Sequence, residues 1–292
     1  MTLNNGLEMP DIGMGTYPLK GAALTSAVVS ATQVGFRAFD TAKAYGNETS
    51  LGVAIQESCR VNGITRDDVF ITSKIGENLY HGIPDGKLFY ARYPGEKRDI
   101  AGIVANQVDE ILGNLRTDYL DLLLLHWPFP DYLTDIWRAM EDAYRENKVR
   151  AIGVSNFRER HMEKIIAPGT IMPMVNQFEL HPLNTKKSLI RFCQEKGIKV
   201  QAYSPLAVMN KKLVSSEVII NIAKKYKKTI PQVILAWHVG IGVMPIPKSG
   251  DRARLQENFD VFDFRLTSEE VNEIDSLNEN YSGLIESIYC PG

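Results

Sequence analysis

Short, continuously apolar runs alternate along this chain with longer stretches in which apolar residues return every three or four positions. The runs are read as strands at residues 34–39, 70–74, 120–126, 149–154, 174–177, 199–203 and 243–247. The stretches between and after them are read as helices at 21–34, 47–62, 99–115, 133–147, 158–166, 185–196, 216–226, 231–239, 251–258 and 268–277. A last, weak strand is expected at 259–262. Residues 2–12 read as a small hairpin with Asn5-Gly6 as its turn, and 13–18 read as loop.

Strands that are apolar throughout and joined by helices are parallel strands covered by those helices. Close to eight such units fit either a closed barrel or an open doubly wound sheet. The polar residues favour the barrel. Asp40, Lys74, His126, Ser155-Asn156, Gln177, Tyr203-Ser204 and Lys248-Ser249 each stand at or just past the carboxyl end of a run. A barrel gathers all those ends on one face, where active sites lie, whereas an open sheet spreads them along an edge. The expected fold class is α/β: a single-domain (β/α)8 TIM barrel over 1–292. It would carry a short N-terminal hairpin, a long loop insertion after strand 2 (the 70–74 run) and a C-terminal tail over the active-site face.

The insertion at 76–98 has neither strand nor helix periodicity. It holds Gly76, Gly82, Gly86, Gly95, Pro84 and Pro94 among the aromatics Tyr80, Phe89, Tyr90 and Tyr93. A structureless loop of this length is uncommon in a compact domain unless it is functional or disordered. Its aromatics favour an ordered flap. It is expected to form part of a substrate wall, with His81 as a candidate contact.

Composition narrows the class. Hydrophobic residues make up 44% and charged residues 23% of the chain, as in a globular protein. A net charge of −2 gives no reason to expect nucleic acid or an anionic membrane as partner. Cys59, Cys193 and Cys290 are scattered and odd in number, without metal-ligand spacing, so a reduced chain in the cytoplasm is expected and no metal. The start shows no signal-peptide pattern, and no apolar run approaches the roughly 18 residues a membrane span needs.

The candidate chemistry is proton transfer. A phenol in water ionises only near pH ~10. A lysine beside Tyr45 would favour its phenolate, and an aspartate would hold that lysine. Asp40, Tyr45, Lys74 and His126 together suit protonation of an oxygen while hydride reaches the adjacent carbon. Singly, a strand-end Asp is more often a cap or turn residue, and a lone buried His is more often structural, which is how His161, His181 and His238 are read. Lys248 and Arg254 could equally be a solvated surface pair. No G-x-G-x-x-G follows any strand, so a Rossmann domain is not supported.

The segments 9–16 (MPDIGMGT), 39–42 (FDTA) with Tyr45, 122–128, 153–157 (GVSNF), Asn176-Gln177, 203–206 (YSPL) and 246–249 (IPKS) resemble the aldo-keto reductases, in order and over nearly the whole chain. The resemblance implies a (β/α)8 barrel that reduces aldehydes or ketones with a nicotinamide cofactor, usually NADPH (NADP+ when oxidised). Carried over by position, Tyr45 would be the general acid, Lys74 and Asp40 would tune it, and His126 would orient the carbonyl. Tyr17, Tyr45, His126 and Trp127 would meet a small carbonyl substrate. Ser155, Asn156 and Gln177 would contact the carboxamide and Tyr203 would stack on nicotinamide. Gly15, Thr16, Asp40, Ser204 and Leu206 would meet pyrophosphate and ribose. Lys248, Ser249 and Arg254 would hold a 2′-phosphate, and Glu257 and Asn258 would meet adenine. Arg254 offers a planar fork for phosphate, and Ser249-Gly250 are expected where a helix begins, a site that favours anions.

The chain departs from the family pattern in four places. The 76–98 insertion replaces a short segment that usually brings a tryptophan to the pocket. Tyr17 stands where many members have Trp. The loop 207–212 is shorter than the cofactor-clasping loop of larger members, and the tail 279–292 is only loosely similar. A monomer is expected. The alternative function is a cofactor-sensing regulatory module of the same fold with slow or vestigial reductase activity.

Overall fold

The computed structural model describes residues 1–76, 99–128 and 132–283. Residues 77–98 of the insertion and the tail after residue 283 therefore fall outside the described residues. Eight parallel strands lie in sequence order around one sheet: β1 (Met14–Gly15), β2 (Ala38–Asp40), β3 (Phe70–Ile75), β4 (Leu122–Leu125), β5 (Ile152–Ser155), β6 (Val175–Glu179), β7 (Lys199–Tyr203) and β8 (Val243–Pro245). The helices are α1 (Gly21–Val34), α2 (Glu48–Asn62), α3 (Ile100–Leu115), α4 (Leu133–Arg145), α5 (Glu159–Ile166), α6 (Lys187–Glu195), α7 (Lys211–Val214), α8 (Glu217–Tyr226), α9 (Ile230–Gly240), α10 (Arg252–Phe259) and α11 (Ser268–Asp275).

Two backbone bonds bring the ends of the sheet together. Gly13 N donates to Pro245 O at 3.0 Å and Gly15 N donates to Pro247 O at 3.1 Å. They curl the sheet into a closed ring. Gly15 eases the close approach there: a Cβ at this position would stand 3.1 Å from Ile246 O, tighter than an ordinary contact.

Burial follows the sequence pattern. Leu122, Leu123, Leu124 and Leu125 are all fully buried, two of them facing each side of β4. Each such leucine contributes roughly 1.5–3 kcal/mol relative to an exposed one. The N-terminal hairpin forms, with Thr2 bridged to Glu8 and Gly6 at φ 86°. Asn4 and Asn5 donate to the carbonyls of Pro173 and Arg150, which lead into β6 and β5, so the hairpin closes the amino end of the barrel. The functional face is left at the opposite end.

Three expectations change. Residues 13–18 are not all loop, because β1 lies within them. The run at 259–262 is not a strand: α10 extends through Phe259, and Val261 is packed in the core as irregular chain. The loop 207–212 is partly helical, with a 3-10 turn at Ala207–Met209 leading into α7.

Candidate active site

β2 ends on Asp40, and the next five residues turn through a 3-10 helix, Lys43–Tyr45, before α2 begins. β3 runs beside β2 with Asp40 opposite Thr72, which carries Lys74 one pleat further towards the carboxyl face. The lysine is fully buried. Its Nζ donates to Asp40 Oδ1 at 2.7 Å, to Thr41 O at 2.8 Å and to Tyr45 Oη at 3.4 Å. Burial alone would push the Lys74 ammonium towards neutrality. The charges of Asp40 and Tyr45 and their hydrogen bonds outweigh it, so its pKa lies above the ordinary lysine value. A cation therefore sits beneath the phenol at neutral pH.

The other oxygen of Asp40 is also held. Gln177 Nε2 donates to Asp40 Oδ2 at 2.7 Å and to Gln201 Oε1 at 3.0 Å. A chain of polar side chains thus crosses the barrel interior from β2 to β7, and each member is buried.

Above this layer lies an aromatic rim. The Tyr45 ring is 5.1 Å from that of Tyr17 and 6.1 Å from that of His126, edge-on to the latter. Trp127 stacks on His126 at 5.7 Å. Tyr17 is 62% exposed, so one side of the rim is open to solvent. These four rings lie side by side.

The nicotinamide candidates adjoin them. Asn156, with φ 64° after β5, donates from Nδ2 to His126 O at 3.0 Å and accepts on Oδ1 from Tyr203 Oη at 2.7 Å. Ser155 Oγ lies 3.2 Å from the same Nδ2. Ser155, Asn156, Gln177 and Tyr203 therefore form one connected wall running from His126 to Asp40.

Thr16 is different. Its hydroxyl is buried and donates to Asp40 O at 2.8 Å, so its side chain is used to hold the β1 end against β2. Ser204 and Leu206 are half-buried beyond β7.

Past β8, Lys248 and Arg254 are exposed, and no hydrogen bond or ion pair engages either side-chain cation among the described residues. Ser249 is buried and accepts from Asp251 N at 3.0 Å. The helix start expected at Ser249-Gly250 lies later: α10 begins at Arg252, and Asp251 caps it by accepting from Arg254 N at 2.9 Å. Arg254, Glu257 and Asn258 then share one face of α10 by their spacing. Two unpaired cations beside a buried hydroxyl suit a phosphate monoester. Gly15 leaves space next to Lys248, whose Cβ is 3.8 Å from the missing side-chain position.

Sequence reasoning missed the supports of this site. Thr41 Oγ1 donates to Asn47 Oδ1 at 2.6 Å, and Asn47 Nδ2 donates to Leu19 O at 3.0 Å and to Thr16 Oγ1 at 3.1 Å. Buried Glu48 accepts from Ser73 Oγ at 2.6 Å. Asn47 and Glu48 read as an ordinary helix start. The one available signal was their position directly after Tyr45. The three histidines read as structural lie on other elements. His161 is in α5, His181 follows β6, and His238 is in α9 between the carbonyls of Ile234 and Leu180.

Known proteins resemble this chain throughout. A sequence profile of the Aldo/keto reductase family matches residues 11–279. An uncharacterized oxidoreductase, YtbE, of Bacillus subtilis (strain 168) is 41% identical over 280 residues, covering 96% of this chain and 92% of the relative. The glyoxal reductase of the same strain is 40% identical, over 95% of this chain and 92% of its own. The crystal structure of a Bombyx mori aldo-keto reductase in complex with NADP superposes with a TM-score of 0.85 at 31% identity, covering 98% of this chain and 95% of that one. With this fold, the closed strand order and the match over nearly its full length, the chain belongs to the aldo/keto reductase family of NADP-dependent oxidoreductases.

Proposed function

We propose that this protein reduces an aldehyde or ketone to the alcohol, with NADPH as the electron donor and Tyr45 as the general acid. One observation carries the reading: the Tyr45 hydroxyl lies 3.4 Å from a buried lysine ammonium that Asp40 holds at 2.7 Å.

Bound at this face, reduced nicotinamide would supply a hydride to the carbonyl carbon. Tyr45 gives its proton to the carbonyl oxygen. The ammonium of Lys74 stabilises the phenolate left behind, because it is close, charged and shielded from water. Asp40 keeps that ammonium in place and balances its charge. His126, edge-on to the Tyr45 ring, lines the same space and can hydrogen-bond the substrate oxygen. Ser155, Asn156, Gln177 and Tyr203 would hold the nicotinamide end of the cofactor. Lys248, Ser249 and Arg254 would hold the 2′-phosphate, with Glu257 and Asn258 beside adenine. Gly15, Ser204 and Leu206 would flank the stretch between, and Thr16 would act through its backbone.

The substrate class is proposed as small reactive carbonyls, 2-oxoaldehydes first among them. The glyoxal reductase relative supports this, and Tyr17, Tyr45, His126 and Trp127 offer a compact aromatic rim. The test is steady-state oxidation of NADPH with glyoxal, methylglyoxal and an aromatic aldehyde, on the wild type and on Tyr45→Phe. Removing the acid should lower kcat by about 100-fold or more, with NADPH binding retained. Turnover by Tyr45→Phe close to wild type would end the assignment. No turnover of any carbonyl by the wild type would favour a cofactor-sensing module instead.

A further inference from the structure

Glu48 lies three residues after Tyr45, in the first turn of α2, and it is 3% exposed. A carboxylate in that place normally faces solvent. Here Oε1 accepts from Ser73 Oγ at 2.6 Å, and Oε2 accepts from Asn114 Nδ2 at 3.3 Å. Ser73 is fully buried and is the residue before Lys74 on β3. The same short stretch of chain that carries the phenol is thereby fastened to the same strand that carries the ammonium.

The surroundings argue that this tie has a purpose beyond packing. Burying a carboxylate is costly unless its hydrogen bonds are made. The charged groups nearest to it are Lys43, on the 3-10 turn, and Glu110, on α3, which pair with each other. Among the described residues Lys43 forms no ion pair with Glu48, so the carboxylate is held inward by Ser73 at 2.6 Å and, with a longer contact, by Asn114 at 3.3 Å. Burial pushes the Glu48 carboxyl up, and the bonds from Ser73 and Asn114 pull against it. An apolar residue would pack in this position at lower cost. It would remove the tie to β3 that follows Tyr45, leaving the start of the stretch held by Thr41 N on Thr72 O at 2.8 Å and by Lys74 Nζ on Thr41 O.

We propose that Glu48 is a positioning residue: its buried carboxylate, through Ser73, sets the separation of the Tyr45 hydroxyl from the Lys74 ammonium. This rests on the role proposed above for Tyr45. The gap concerned is 3.4 Å, at the outer limit of a hydrogen bond, so a small displacement breaks it. Positional errors near 1 Å can cost a hundredfold in rate.

The test uses Glu48→Ala, Ser73→Ala, the double variant and Glu48→Gln, each read in two ways. The first is kinetic. Glu48→Ala should lower kcat about 10- to 100-fold, with KM and NADPH affinity within about twofold. Ser73→Ala should fall in the same direction, and the double variant should be no worse than Glu48→Ala, since both break one tie. Glu48→Gln keeps an acceptor for Ser73 and should recover most of the rate.

The second readout needs no substrate or cofactor. Ultraviolet titration gives the ionisation of the phenol as the transition that Tyr45→Phe removes. If the tie matters, Glu48→Ala should move this transition up by about one pH unit, as the phenol parts from the ammonium. If only the Glu48 charge matters, removing it should move the transition down in both Glu48→Ala and Glu48→Gln. An unmoved or lowered transition in Glu48→Ala, or an unchanged kcat with only a lower Tm, overturns the proposal. A wild type inactive towards all carbonyls counts against the proposed function, and the titration still decides the role of Glu48.

Discussion

Gln177 and Asp40 meet inside the barrel, with the amide nitrogen of one 2.7 Å from the carboxylate oxygen Oδ2 of the other. Turned the other way, the amide would set its oxygen against a carboxylate, so the orientation is fixed by charge. The second amide hydrogen goes to Gln201. Both donors of Gln177 are therefore committed within the barrel, and only its oxygen can serve a cofactor amide.

That commitment makes Gln177 a support of the ion pair. Gln177→Leu should cost about 1–3 kcal/mol in urea unfolding, because Asp40 Oδ2 loses its donor while buried. An unchanged urea midpoint would show that the contact contributes nothing to stability.

The pair itself should be visible in alkaline stability. Lys74 is held charged to a higher pH when folded than when unfolded. The pairing is then fully present below the usual lysine value of about 10.5, and it is lost as pH rises through the higher folded value. Thermal scans of the wild type should decline across that alkaline window. Asp40→Leu should remove the decline and cost roughly 3–5 kcal/mol at neutral pH, since it strands a buried cation.

Cofactor choice should depend on the outer cations. Lys248→Ala and Arg254→Ala should each weaken NADPH binding by about tenfold or more, as for a lost charged hydrogen bond. NADH should change by less than about twofold, since it lacks the phosphate those charges would meet. Fluorescence titration at low and high salt checks this. Equal losses for both cofactors would refute the phosphate site.

Acid should destabilise the protein partly through His161. Burial, then the positive charges of Arg160, Arg158 and Lys164, push its pKa down to about 4. Between about pH 6.5 and about 4 the unfolded chain takes up a proton there that the folded chain refuses. Stability should therefore fall as pH drops through this window. His161→Gln should flatten the fall, measured as Tm against pH, and an unaltered slope would exclude His161 as its source.

Much of this was legible because strand ends are marked by a change from apolar to polar residues. Asp40, Lys74 and His126 could be placed together without coordinates. The first strand was not legible. Met14–Gly15 is two residues long and is held by β2 and by the backbone at and just past the end of β8, neither of which leaves a mark on residues 13–16. The segment 259–262 took its place in the count, although of these residues only Val261 is buried. The Glu48–Ser73 and Asp40–Gln177–Gln201 contacts were hidden for a different reason. Sequence shows a charge or an amide and not whether it is buried, and partners separated by 137 positions (40 and 177) leave no local pattern.

The ring is sealed between its earliest and its latest strand. Gly13 and Gly15 supply the hydrogens, because Pro245 and Pro247 have none to give. A growing polypeptide cannot finish this seam until some 230 further residues have been made, so the join is a late event with a high entropic barrier. Lys248 and Ser249 follow at once. The seam and the first residues of the proposed phosphate-reading edge thus share one stretch of chain, and whatever loosens the join at Pro247 loosens the footing of Lys248.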